Sequence, residues 1–125
     1  MPSKKAIKNL RRQAAREQGW RCFYCQLPMW DTAPEEFIER YEISSGLAKR
    51  FRCTAEHVEA RCDSGKDVAP NIVAACLFCN ATRHKAKHPL EATRHMSVVR
   101  SRLAKGRWHP PQVVAALGKR RTPPI

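Results

Sequence analysis

Residues 53–84 read CTAEHVEARCDSGKDVAPNIVAACLFCNATRH, and the rest of the chain takes its meaning from them. Residues 51–60 are rich enough in β-formers to predict a strand entering a hairpin. Asp63-Ser64-Gly65 and Pro70 mark residues 61–70 as a loop. Asn71–Ala75 predicts a short return strand or turn. Cys76 and Cys79 form a C-x-x-C knuckle, and a helix is expected from Asn80 to about Lys87, where His88-Pro89 ends it.

A second C-x-x-C, Cys22 and Cys25, lies far upstream. Two cysteines so spaced on a tight turn aim both sulfurs inward, and two such pairs match the closed tetrahedral preference of structural zinc. Cys22, Cys25, Cys76 and Cys79 are therefore the expected Zn²⁺ ligands, although the gap between the pairs exceeds that of an ordinary zinc ribbon. Cys53 reads as a buried strand residue and Cys62 as a loop thiol, neither as a ligand.

The 125-residue chain fits one domain, with 42% hydrophobic and 28% charged residues leaving a modest core. A metal staple would add on the order of 10 kcal/mol to its folding. Lys and Arg outnumber Asp and Glu 24 to 11, a net charge of +13. That excess points to a polyanionic partner, nucleic acid first, since neutralising phosphates releases counterions. No long apolar run suggests a membrane span. The opening MPSKKAIKNLRRQ has no apolar secretion core. The expected location is the cytoplasm, where thiols stay reduced and six cysteines read as metal ligands plus spares.

Outside the knuckles the pattern is helical. Residues 3–18 predict a basic helix capped by Ser3, with Ala6, Ile7, Leu10 and Ala14 on one face and Gly19 past its end. Trp20–Cys25 suggests a short strand leading into the first knuckle. Residues 31–43 predict an acidic helix capped by Asp31 or Thr32, with Pro34 in its first turn and Glu35, Glu36, Glu39 and Glu42 turned away from DNA. Ser44-Ser45-Gly46 reads as loop. Residues 91–104 predict a helix with Ala92, Met96, Val99 and Leu103 on one face, and a short helix is expected at 112–117. Basic Lys119-Arg120-Arg121 follows.

The ordered set Glu56-His57, Asn71, Cys76-x-x-Cys79-Asn80 and His84, with the upstream Cys22-x-x-Cys25, resembles the HNH endonucleases. The resemblance covers about residues 16–87, and Ala104–Pro110 (AKGRWHP) is similar to tails of small bacterial proteins of this kind. It implies a ββα-metal fold in which a hairpin and a helix hold one divalent ion. It also implies that Asn71 pins the loop between the strands and orients His57. Family members commonly carry Asp at Glu56, Pro at Ala60 and two glycines at Gly65-Lys66.

The chemistry of a phosphodiester asks for the same residue types. A neutral imidazole takes a proton from water near neutral pH, which makes His57 the expected general base. A divalent cation, Mg²⁺ or Mn²⁺, neutralises a phosphate oxygen and stabilises the departing 3′ oxygen. Glu56, Asn80 and His84 are its expected ligands, the last two about one helical turn apart. Arg83 and Lys85 are expected phosphate contacts. Taken singly, each residue type is common in structural or solvent-facing roles; the ordered set points to chemistry.

The expectation is thus an α+β chain, residues 1–125 as a single domain. It comprises a zinc-stabilised ββα-metal core (about 16–87), flanking basic helices and a helical extension over 90–125. Its activity would be cleavage of double-stranded DNA, leaving 5′-phosphate and 3′-hydroxyl ends, by a monomer that nicks or a homodimer that cuts both strands. The alternative is a non-catalytic zinc-containing DNA-binding module. An RNA-directed role has less support, since no aromatic-rich platform is visible.

Overall fold

The computed structural model describes residues 3–59 and 66–118. At its centre an antiparallel hairpin pairs β1 (Cys53–His57) with β2 (Ile72–Cys76), in the register Cys53 to Cys76, Ala55 to Ala74 and His57 to Ile72. Two strands alone are marginal in water, so this pair needs helices against it. Ala74 and Ala75 are fully buried, and their small side chains let neighbours approach closely. The first helix, α1 (Lys4–Glu17), lies against both strands and buries Ala14 and Ala15. Its follower Gln18 covers the outer edge of β2, donating from Nε2 to the Ala74 carbonyl (2.8 Å) and accepting from the Ala74 amide (2.9 Å). An edge that would otherwise expose unpaired backbone is closed by a side-chain amide.

Local signals account for several boundaries. Ser3 caps α1 by accepting from the Ala6 amide (3.1 Å), and Gly19 takes the left-handed conformation after it (φ +66°). Helix α4 (Leu77–Lys85) starts three residues before the expected Asn80, because the Cys76 sulfur accepts the Cys79 amide (3.5 Å) and caps the helix. Helix α5 (Ala92–Ala104) buries Ala92, His95 and Val99. Helix α6 (Pro111–Gly118) opens on proline and buries Val113 and Leu117.

Four local expectations are corrected. Ser44–Gly46 is not loop: Ser44 accepts from the Leu47 amide (3.2 Å) and starts α3 (Ser45–Lys49), so capping outweighs the weak helix propensity of Gly46. Neither Asp31 nor Thr32 caps α2 (Glu35–Tyr41), which begins on Pro34 without a side-chain cap. Asp31 instead receives Arg11 (2.7 Å) and Arg12 (2.8 Å) from α1, where two cations hold its carboxyl below the usual range against the opposing effect of burial. Trp20–Cys25 is not a strand but a turn. The Cys22 amide bonds the Leu27 carbonyl (2.9 Å), and only the isolated bridge of Arg21 with Pro28 is strand-like. The strand expected over 51–60 is five residues, 53–57.

The buried residues form a cluster running from Ala14 to Leu117. A cavity of about 550 Å³ opens between the first knuckle and α2, lined by Trp20, Met29, Trp30, Phe37, Arg40 and Tyr41 among others. It contains none of the candidate catalytic residues. Ala60, Cys62, Gly65 and Lys119-Arg120-Arg121 lie outside the described residues. No helix among the described residues is long and apolar enough to cross a membrane.

Candidate functional site: a four-cysteine cluster and a carboxylate–histidine centre

The two knuckles meet. The sulfurs of Cys22, Cys25, Cys76 and Cys79 all lie within 4.8 Å of one another, and all four residues are buried. Tetrahedral zinc with bonds of about 2.3 Å requires sulfurs about 3.8 Å apart, and Cys25 and Cys76 are 4.0 Å apart. The surroundings suit thiolates. Amides of Tyr24 (3.3 Å), Cys25 (3.5 Å) and Cys76 (3.3 Å) point at the Cys22 sulfur, and the Trp108 indole donates to Cys79 (3.2 Å).

Four thiols this close cannot all ionise alone. Burial opposes charge on Cys22, yet hydrogen bonds from Cys25, Cys76 and Cys79 hold its thiol well below the ordinary value. Burial and the same contacts push Cys76 up, and contact with Cys22 and Cys25 pushes Cys79 up. A dication removes that conflict, so the donor set fits a metal ion such as zinc.

The second centre forms where β1 meets α4. Alternation along β1 puts Thr54 and Glu56 on the face that α4 covers. Asn80 donates from Nδ2 to Thr54 Oγ1 (3.0 Å) and to the Ala55 carbonyl (3.1 Å), pinning helix to strand through its nitrogen and leaving its oxygen as the end suited to a cation. One turn on, His84 Nε2 lies 3.0 Å from Glu56 Oε1. Glu56 is 1% exposed, whereas the His84 side chain is 36% exposed. The other oxygen, Oε2, accepts from the Tyr24 hydroxyl (2.9 Å) and pairs with Arg83 (3.2 Å). Burial and the facing carboxylate push the Tyr24 hydroxyl pKa up, which keeps it a proton donor to Glu56.

Arg83 is therefore corrected: it does not project toward phosphate. Its guanidinium is buried, bonding the carbonyls of His57 (3.0 Å), Val58 (3.3 Å) and Leu90 (2.9 Å) as well as Glu56. A planar fork with five donors suits this inward role. Lys85 is exposed on the last turn of α4.

His57, the last residue of β1 and next to Glu56, hydrogen-bonds through Nε2 to Asp67 and to none of Glu56, Asn80 or His84. Asn71 bonds both sides of the inter-strand loop, accepting from the Glu59 amide (2.7 Å) and donating to the carbonyls of Glu59 (2.9 Å) and Lys66 (2.9 Å). It acts on the residue beside Asp67 and so on the partner of His57. The structure thus joins Glu56 to His84, sets Asn80 one turn earlier, and holds His57 by a separate acid.

Tyr24, Asp67 and Trp108 were missed from sequence. Tyr24 reads as a packing aromatic, and only its place between two ligand cysteines marks it. Asp67 has no spacing signal, since it reaches His57 across a loop.

The described residues define an α+β protein with a two-stranded sheet and a buried four-cysteine cluster able to hold a metal ion. No family model, curated protein or solved structure matches the chain, so the functional reading rests on this geometry.

Proposed function

We propose that the chain is a metal-dependent DNA endonuclease of the HNH type, with a structural zinc in the four-cysteine cluster. The observation that carries this reading is the convergence of Glu56 Oε1 and His84 Nε2 at 3.0 Å, one turn from Asn80. Two ligands on adjacent vertices of an octahedral ion with bonds of about 2.1 Å are separated by about 3.0 Å. A carboxylate, an imidazole and an amide oxygen suit a divalent ion, and the imidazole favours Mn²⁺ over Mg²⁺.

An ion held by Glu56, Asn80 and His84 would draw charge from the scissile phosphate and stabilise the leaving 3′ oxygen. The chain's own residues do the rest. Asp67 engages Nε2 of His57, so the unengaged Nδ1 is the atom that takes a proton from water. Asn71 keeps the loop carrying Asp67 in register. Arg83 and Tyr24 hold Glu56 with one oxygen turned toward His84. Exposed Lys85, with Lys4, Lys5, Lys8 and Arg16 on α1, supplies positive charge for duplex DNA, in keeping with the net +13. One such centre cuts one strand, so a monomer nicks and a homodimer cuts both, leaving 5′-phosphate and 3′-hydroxyl ends. The need for reduced cysteines favours the cytoplasm.

A non-catalytic zinc-containing DNA-binding module is the second reading. It is favoured by one feature: both oxygens of Glu56 already have protein partners, on a side chain with almost no exposure. Supercoiled plasmid incubated with zinc-loaded protein and Mg²⁺ or Mn²⁺ separates the two. The nuclease reading expects relaxed or linear product, with His57→Ala losing at least about 100-fold in rate while still shifting DNA on a gel. Intact plasmid with both metals would leave the binding module.

A further inference from the structure

We propose that Trp108 and Arg50 form an outer shell of the zinc site, through which the C-terminal extension sets how firmly the metal is held. The inference concerns the four-cysteine cluster alone and stands whether or not the chain cleaves DNA.

Three segments distant in sequence converge on the second knuckle. The loop between α5 and α6 brings in Trp108, buried, with its indole Nε1 3.2 Å from the Cys79 sulfur. Helix α5 brings in His95, buried, whose Nε2 lies 3.0 Å from the Cys79 carbonyl and whose ring stands 5.8 Å from that of Trp108. Residue Arg50, just past α3, binds the extension and the knuckle together. It donates to the Trp108 carbonyl (3.1 Å) and to His109 Nδ1 (3.2 Å). Its guanidinium carbon sits 3.6 Å from the ring centre of Phe78, which lies between the two ligand cysteines. The Arg50 carbonyl accepts the Phe78 amide (3.1 Å), and its charge faces Cys25, Cys76 and Cys79.

Each contact has a defined effect on a bound metal. Four thiolates on one Zn²⁺ leave a net charge of −2, which is costly to bury. An N–H donor on a sulfur spreads part of that charge, and a nearby guanidinium offsets more of it. Both make the thiolates poorer targets for a competing proton. The indole also covers Cys79 against an incoming chelator. Trp108 is the one side-chain N–H among the described residues that reaches a ligand sulfur from outside the knuckles. By linkage, what the extension adds to metal retention, the metal returns in holding the extension.

Zinc release from the full chain to a coloured chelator, 4-(2-pyridylazo)resorcinol, tests this. Trp108→Phe keeps an aromatic ring against Phe78 and His95 and deletes the N–H. It is expected to weaken zinc retention about 10-fold, the lower end of what lost outer partners cost a metal site. Retention equal to wild type overturns the proposal. Should Trp108→Phe fail to fold, the wild-type protein decides alone. With ¹¹³Cd in place of zinc, the indole proton of Trp108 is expected to show scalar coupling to the metal through the N–H···S contact. No coupling at that proton, in a spectrum where the cysteine protons couple, overturns it too.

Discussion

Replacing Arg83 by methionine tests the correction to its role most directly. The variant keeps the length and apolar stem of the side chain but removes the charge facing Glu56. Both partners are nearly sealed from water, at 4% and 2% side-chain exposure. Removing one member of a buried pair typically costs about 3–5 kcal/mol, because the remaining charge is left without a counterion. The carbonyls of His57, Val58 and Leu90 also lose their donor, at about 0.5–1.5 kcal/mol each where water cannot replace it. A total of about 4.5–9.5 kcal/mol is a large share of the roughly 5–15 kcal/mol that holds a domain together. Urea unfolding of zinc-loaded protein, without added magnesium or manganese, would read this as a large fall in the midpoint. Arg83→Lys should recover only part, since an ammonium cannot serve four acceptors in one plane. The double variant Glu56→Gln/Arg83→Met should lose less than Arg83→Met alone, because no orphan charge remains. The reasoning fails if Arg83→Met unfolds within about 1 kcal/mol of wild type yet no longer binds DNA. That pair of results would put the guanidinium at a phosphate.

Tyr24→Phe removes the hydroxyl that donates to Glu56 Oε2 and should destabilise by about 1–2 kcal/mol in urea, with zinc content unchanged by atomic absorption. Loss of zinc would show that the hydroxyl also supports the cysteine cluster and would refute its assignment to Glu56 alone. Cys25→Ser should abolish zinc binding and most cooperative folding, by on the order of 10 kcal/mol, whereas Cys53→Ala should retain the metal; equal zinc content in both would refute the ligand assignment. His109 is buried, and burial reinforced by Arg50 pushes its pKa down to about 4. Between pH 6.5 and 4 the unfolded chain therefore binds a proton that the folded one refuses. The stability from this group is complete above 6.5 and is lost as pH falls toward 4, up to about 3 kcal/mol. His109→Gln should flatten that part of the pH–stability curve, and an unchanged slope would refute the assignment.

What could be read beforehand was local. Ser3, Gly19 and the apolar stripe of residues 91–104 act within a turn or two of chain, and their helices form close to where those signals fall. The cysteine pairs were also legible, because two short spacings carry the ligand geometry even with Cys25 and Cys76 51 positions apart. Arg83 and Asp31 were misread for a common reason. Each looked like a surface residue with a job at its own helix, and each is claimed by a partner far along the chain, Glu56 in one case and Arg11 with Arg12 in the other. Ser44 was passed over because the glycine two residues later reads as a break. Nothing short-range tells Tyr24 that its hydroxyl will meet a carboxylate 32 positions away.

Helix α4 carries Cys79 of the four-cysteine cluster in its first turn and His84 of the carboxylate–histidine centre in its last. Such a rod advances about 1.5 Å and rotates 100° per residue, so Cys79 and His84 are held about 7.5 Å apart along a common axis. The segment consequently works as a ruler. Substitution at its exposed positions should be absorbed, but inserting or deleting a single residue between Cys79 and His84 would swing His84 a quarter-turn or more away from Glu56 while leaving the sulfurs in place. Length, rather than composition, is the quantity this stretch has to conserve.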